Sequence, residues 1–173
     1  MHNIDLVIFE YVHGLAGQSY RLDLLGHILA KYLPYGLILI LVILTVKDRK
    51  RFGITTLKAI IAGFFSTYVL ALPIERFVLR RRPFDLLELV PLIPKKSSFS
   101  FPSSHAAFFF AFSTVVFFSH KKLGLFLYFS SFLIILARVF SGVHWPSDVF
   151  VGALLGLLVG LVLQKIIEIK ESN

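Results

Sequence analysis

Apolar residues run almost unbroken at about 24–47, 55–79, 105–119, 123–140 and 149–164, and the polar residues between these runs come in short clusters. At 1.5 Å per residue, most of the runs are long enough to cross a hydrocarbon core of about 30 Å. The pattern predicts an all-α polytopic membrane helix bundle with five transmembrane helices, the third and fifth of them short. An earlier segment from Ile4 to Gly17 (IDLVIFEYVHGLAG) is shorter and holds Glu10 and His13. It reads as an interfacial helix or a short, partly inserted sixth helix rather than a full span. No basic residue precedes it and no clear cleavage site follows, so it does not read as a cleaved signal peptide.

Composition supports the membrane reading: 57% of the 173 residues are hydrophobic, well above a soluble domain, and residues 1–173 read as one domain. The absence of cysteine excludes disulfides and thiolate metal sites. A net charge of +8 raises nucleic acid as a partner, but the charge sits in clusters beside the spans. Anionic lipid at the bilayer surface fits that placement better. Lys47, Arg49, Lys50 and Arg51 lie between the first two spans, and Lys121 and Lys122 between the third and fourth. The positive-inside rule puts both groups in the cytoplasm and the loops 80–104 and 140–148 together on the other side. The 80–104 loop is itself basic (Arg80, Arg81, Arg82, Lys95, Lys96). Its length, in a chain without repeats or low-complexity tracts, marks a functional connection.

Three polar clusters fall at that one surface. In SFPSSHAA (Ser100–Ala107), Pro102 blocks a helix from upstream and Ser103 suits the N-cap. Ser104 and His105 then occupy a first turn whose unpaired N–H groups favour an anion. An ordinary capped helix start with an interfacial histidine would read the same way. In GVHWPSD (Gly142–Asp148), Pro146 suits the first helical position and Trp145 the cap. Asp148 can then reach back and pair with His144, fixing its tautomer. That pair could instead be half a metal site, or an interfacial charge pair with Trp145 in the aromatic belt. Arg138 ends an apolar span with no acidic residue in it, so it requires a partner, which a lipid headgroup could supply. Arg82 could be a stop-transfer charge. Gathered at one surface, however, two arginines, two serines, two histidines and an aspartate make a phosphate site.

The order Arg82-Pro83, Pro102-Ser103-Ser104-His105, and Arg138-x5-His144-x3-Asp148 resembles the type 2 phosphatidic acid phosphatase (PAP2) superfamily, whose signatures are Lys-x6-Arg-Pro, Pro-Ser-Gly-His and Ser-Arg-x5-His-x3-Asp. The motifs cover roughly 75–150. The opening HGLAGQSYRLD looks like that of small bacterial members acting on undecaprenyl diphosphate. Three positions depart from the pattern: Glu75 stands for the lysine, Ser104 for glycine and Ala137 for serine. Arg76, about 100° round a helix from Glu75, or Arg80 or Arg81, would supply the missing positive charge.

The resemblance implies His144 as nucleophile forming a phosphohistidine, Asp148 as its orienting carboxylate, and His105 as general acid and then base. Arg82, Arg138, Ser103 and the Ser104 and His105 amides would hold the phosphate oxygens. It implies no metal and no other cofactor. The expected function is removal of phosphate from a lipid phosphomonoester or diphosphate: undecaprenyl diphosphate, phosphatidylglycerol phosphate or lipid A 1-phosphate. The expected place is the bacterial inner membrane, with the site facing outward. The alternatives are a non-catalytic protein that binds or translocates anionic lipid, and a histidine-ligated metalloenzyme.

Overall fold

A computed structural model describes residues 3–94 and 99–172, the last six in backbone only; Lys95 and Lys96 lie outside the described residues. The chain forms α1 (Asn3–His13), α2 (Tyr20–Lys47), α3 (Arg49–Val78), a single turn α4 (Pro83–Leu86), α5 (Ser104–Ser119), α6 (Lys121–Phe140) and α7 (Pro146–Ser172). Four of these, α2, α3, α6 and α7, are long and apolar enough to cross a membrane, and α5 is shorter. The expectation of a short fifth span is corrected: helical geometry carries α7 past its apolar run at both ends. α1, with 11 residues, reaches only about 16 Å at the α-helical rise. It is too short to span.

Two long helices contain a wide turn, at Ile28–Tyr32 in α2 and Phe65–Ala71 in α3. Each is followed by a proline, Pro34 and Pro73. Proline lacks an N–H and its ring collides with the carbonyl four residues back, which is Ala30 or Val69, inside the wide turn. The helix absorbs the conflict by widening instead of ending, and side chains beyond it are re-aimed.

α5 is the central helix, with Ala106, Ala107, Ala111, Phe112 and Val116 fully buried. On α7, Gly152 and Gly156 face α5 so closely that a Cβ at Gly152 would lie 2.5 Å from the Ser103 carbonyl oxygen. Small residues four apart allow this approach between membrane helices. The approach sets the start of α7 against the start of α5, where the Ser103 N–H donates to the Asp148 backbone carbonyl at 3.0 Å. Hydroxyl pairs tie the interior, Ser113 to Ser131 at 3.0 Å and Tyr128 to Thr114 at 2.7 Å. At the far end His120 lies against Phe52 and within 3.3 Å of the Arg51 carbonyl. Both basic loops thus share the end opposite the three motif clusters.

Candidate active site

The start of α7 organises the site. Pro146 takes the first helical position, and the Asp148 carboxylate reaches back to accept the Trp145 N–H at 2.8 Å. Its other oxygen accepts from Arg80 Nη1 at 2.6 Å, and the side chain is fully buried. Gly142, at φ +78°, makes the turn that brings His144 beside this carboxylate, and the close approach of the His13 ring leaves little room for a side chain there.

His144 is buried, and its two ring nitrogens have different partners. Nδ1 lies 3.0 Å from the Ser100 carbonyl oxygen and 3.7 Å from Asp148 Oδ2. Nε2 lies 3.1 Å from Arg82 Nη1. A guanidinium only donates, so Nε2 accepts and Nδ1 carries the proton given to Ser100. The Nε2 lone pair therefore faces a cation. The expected pairing of His144 with Asp148 is an ion-pair distance rather than a hydrogen bond, because Trp145 and Arg80 take the carboxylate's direct bonds and a backbone carbonyl holds the ring.

Arg82 is buried and also donates to the Val143 carbonyl at 2.7 Å. Burial pushes its guanidinium below the usual arginine range, and the charges of Glu75, Asp148 and Asp85 act in the opposite direction. Glu75, at the position of the family lysine, sits 3.9 Å from Arg82 Nη2 and so acts as its counter-ion. Arg138 is also buried, and its Nε has no hydrogen-bond partner among the described residues. The same is true of Ser103 Oγ. Ser103 occupies the N-cap position as expected, but its hydroxyl does not cap the helix.

Two cavities meet at His105. A polar one of about 240 Å³ is lined by Arg138, His105, Val143, Lys31 and Tyr35. An apolar one of about 520 Å³ runs between α2, α3 and α5 and includes Phe64, Leu72, Phe108, Tyr35 and His105. The structure thus gathers Arg82, Ser103, His105, Arg138, His144 and Asp148. Ser104 borders the apolar cavity, and its carbonyl accepts from Thr67 at 3.4 Å. Arg76 is exposed and makes no hydrogen bond or ion pair among the described residues. Arg80 is engaged by carboxylates and lies over the Trp145 ring at 5.4 Å, and Arg81 is exposed. None of the three expected substitutes for the lysine lines the polar cavity.

Sequence reasoning missed Asp5, Ser100 and Lys31. Asp5, on α1, accepts the Ser147 N–H at 2.9 Å, the Ser147 hydroxyl at 2.6 Å and an Arg80 N–H. The terminal helix thereby caps α7 from outside, and Phe9 packs on Trp145 with ring centroids 5.1 Å apart. Burial raises the Asp5 carboxyl, but the bonds from Ser147 and Arg80 outweigh it and hold the group below its ordinary value of 3.8. A depressed acid stabilises the fold above its unfolded pKa, and that contribution is lost as pH falls through the folded value. Asp5→Asn should cost about 1.5–3 kcal/mol near neutral pH, the size of hydrogen bonds to a charged group. The gap from the unmodified protein should close below the ordinary carboxylate range. Thermal loss of helicity in detergent against pH measures it; a gap unchanged at low pH would show that the charge on Asp5 plays no part.

The model of the PAP2 superfamily matches residues 56–171. The bacitracin transport permease protein BcrC of Bacillus licheniformis is 33% identical over 160 residues, covering 92% of this chain and 77% of that protein. The undecaprenyl-diphosphatase BcrC of Bacillus subtilis is 28% identical over 162 residues, covering 90% and 80%. Among solved structures, LpxE of Aquifex aeolicus superposes with a TM-score of 0.76 at 30% identity, over 95% of this chain and 96% of that one.

Proposed function

The chain belongs to the PAP2 superfamily of membrane phosphatases, and from that premise we propose that it removes the terminal phosphate of a lipid diphosphate, undecaprenyl diphosphate first, through a phosphohistidine on His144. The observation that carries the mechanism is the His144 ring, held at Nδ1 by Ser100 while Nε2 presents its lone pair to Arg82. The substrate choice draws support from the undecaprenyl-diphosphatase of Bacillus subtilis among the relatives.

In this mechanism the terminal phosphate displaces Arg82 from His144 Nε2 and is held by Arg82, Arg138 and Ser103. Nε2 attacks phosphorus, and the bond to the bridging oxygen breaks. His105 protonates that oxygen, and the lipid monophosphate leaves. Water then attacks the phosphohistidine, giving its proton to His105 and releasing inorganic phosphate and His144. Charge develops on the phosphoryl oxygens throughout, so fixed guanidiniums supply most of the catalysis. Asp148 and Ser100 stabilise the ring as it gains positive charge. The position of His105 between a polar and an apolar cavity supports its role, because the bond that breaks joins the terminal phosphate to a lipid monophosphate that carries a greasy chain.

Phosphate release by purified protein from undecaprenyl diphosphate, phosphatidylglycerol phosphate and lipid A 1-phosphate tests the reading. Turnover should be fastest on the diphosphate, persist in chelator and stop with vanadate, a five-coordinate mimic of the transferring group. Release from none of the three would favour the alternative of a protein that binds or translocates anionic lipid.

The basic loops at the opposite end support a site that faces outward from the cytoplasmic membrane. Cysteines at Val90, which is exposed, and at Lys50 report this in a chain that has none of its own. An impermeant thiol reagent on intact cells should label position 90 and spare position 50. The reverse pattern would invert the topology.

A further inference from the structure

A lipid diphosphate brings more negative charge than the motif residues can meet in this chain. Arg82 shares its charge with Glu75 at 3.9 Å, and Arg80 is engaged by Asp5 and Asp148. Among the described residues that line the polar cavity, the cations are Arg138 and Lys31. Lys31 belongs to no motif. It lies in the wide turn Ile28–Tyr32 of α2, with an exposed side chain whose Nζ is 5.1 Å from the Tyr32 ring centroid. Tyr35, four residues on and so on the same helix face, borders both the polar and the apolar cavity beside His105. A wide turn in a helix is often found where a side chain must be re-aimed for function. Here it presents Lys31 to the place where a chain lying in the apolar cavity would enter the polar one.

We propose that Lys31 binds the inner phosphate of a lipid diphosphate, the phosphate that stays with the departing chain, and that it sets a preference for diphosphates over phosphomonoesters. The inference rests on the lipid-phosphatase reading and deepens it. The transferred phosphoryl group lies on Arg82, Arg138 and Ser103, on the His144 side. The leaving phosphate lies beyond His105 toward Lys31, and a lysine ammonium meets it as a mobile point charge. A monoester has no group at this position.

The test compares farnesyl diphosphate with dioleoyl phosphatidic acid, using the full chain in detergent. Lys31→Gln should lower kcat/KM about 10- to 100-fold on the diphosphate, the scale of one charge-assisted contact, and change it by no more than about threefold on the monoester. Lys31→Arg should restore most of the loss. Equal losses on the two substrates, or none on the diphosphate, would overturn the proposal while leaving the phosphatase reading intact. Titration with inorganic pyrophosphate and orthophosphate, followed by ³¹P line broadening, separates the two ideas. If the unmodified protein hydrolyses neither lipid, the phosphatase reading fails. Lys31 keeps its role if the glutamine variant then loses pyrophosphate binding selectively, and loses it if the two anions are affected alike.

Discussion

His144→Ala should abolish phosphate release from every substrate, whereas His105→Ala should fail selectively. Without Nε2 of His144 no phosphoryl-enzyme forms, and neither arginine can replace a lone pair. Without His105 the leaving oxygen departs unprotonated. That is a heavy penalty for an alkoxide and a light one for a phenolate. General acid assistance is worth about 10²–10⁴-fold, so His105→Ala should lose that much on an alkyl phosphomonoester in the first turnover, and distinctly less on an aryl phosphate. Hydrolysis of the intermediate would still lack its base. The aryl substrate should therefore give a burst followed by a slow steady state, with labelled phosphate held on His144. Rapid-quench measurement decides: equal losses on alkyl and aryl substrates, or label on another residue, would remove the assignment of roles.

Arg138→Met should trade activity for stability. The guanidinium is buried, and its Nε has no partner among the described residues. A buried charge of this kind burdens the fold, and its replacement by an apolar side chain of similar volume should stabilise the protein by on the order of 1–4 kcal/mol. Loss of one fixed charge from the phosphoryl site should lower turnover about 10²–10³-fold. Vanadate should raise the Tm of the unmodified protein by binding the folded state. It should raise that of the variant far less. A variant that melts earlier and keeps its turnover would place Arg138 in the packing of α6 rather than in the site.

Much of this was legible in the chain. Long apolar runs set the helices, because a buried backbone in hydrocarbon must bond to itself. Proline before a polar turn marked the starts of α5 and α7, and the count of crossings put three motif clusters at one end. The spacing from Arg138 to His144 to Asp148 fixed which residues share a turn and a helix start. The structure bears out the reach of Asp148 back to the start of α7, at the Trp145 N–H, since that contact lies within one helical turn.

Other features depended on how the helices turn toward one another. The partner of His144 Nδ1 is a backbone carbonyl 44 residues away, and carbonyls have no signature in a sequence. Asp5 is one acidic residue in an apolar segment until α1 folds against α7, 142 positions further on. Glu75 reads as a lost lysine, yet three-dimensional proximity makes it the counter-ion of Arg82. Lys31 is one basic residue inside the apolar run 24–47, yet a proline-induced wide turn and the packing of α2 bring it to the cavity of Arg138 and His105. Sequence by itself determined the membrane bundle, the shared end and the motif clusters gathered there, because hydrophobic length and spacing within one helix are local properties. Tertiary structure alone decided which nitrogen of His144 faces Arg82, which arginines are engaged by carboxylates and which lysine lines the cavity of Arg138. Those choices follow from the rotation and close approach of whole helices, which no local pattern encodes.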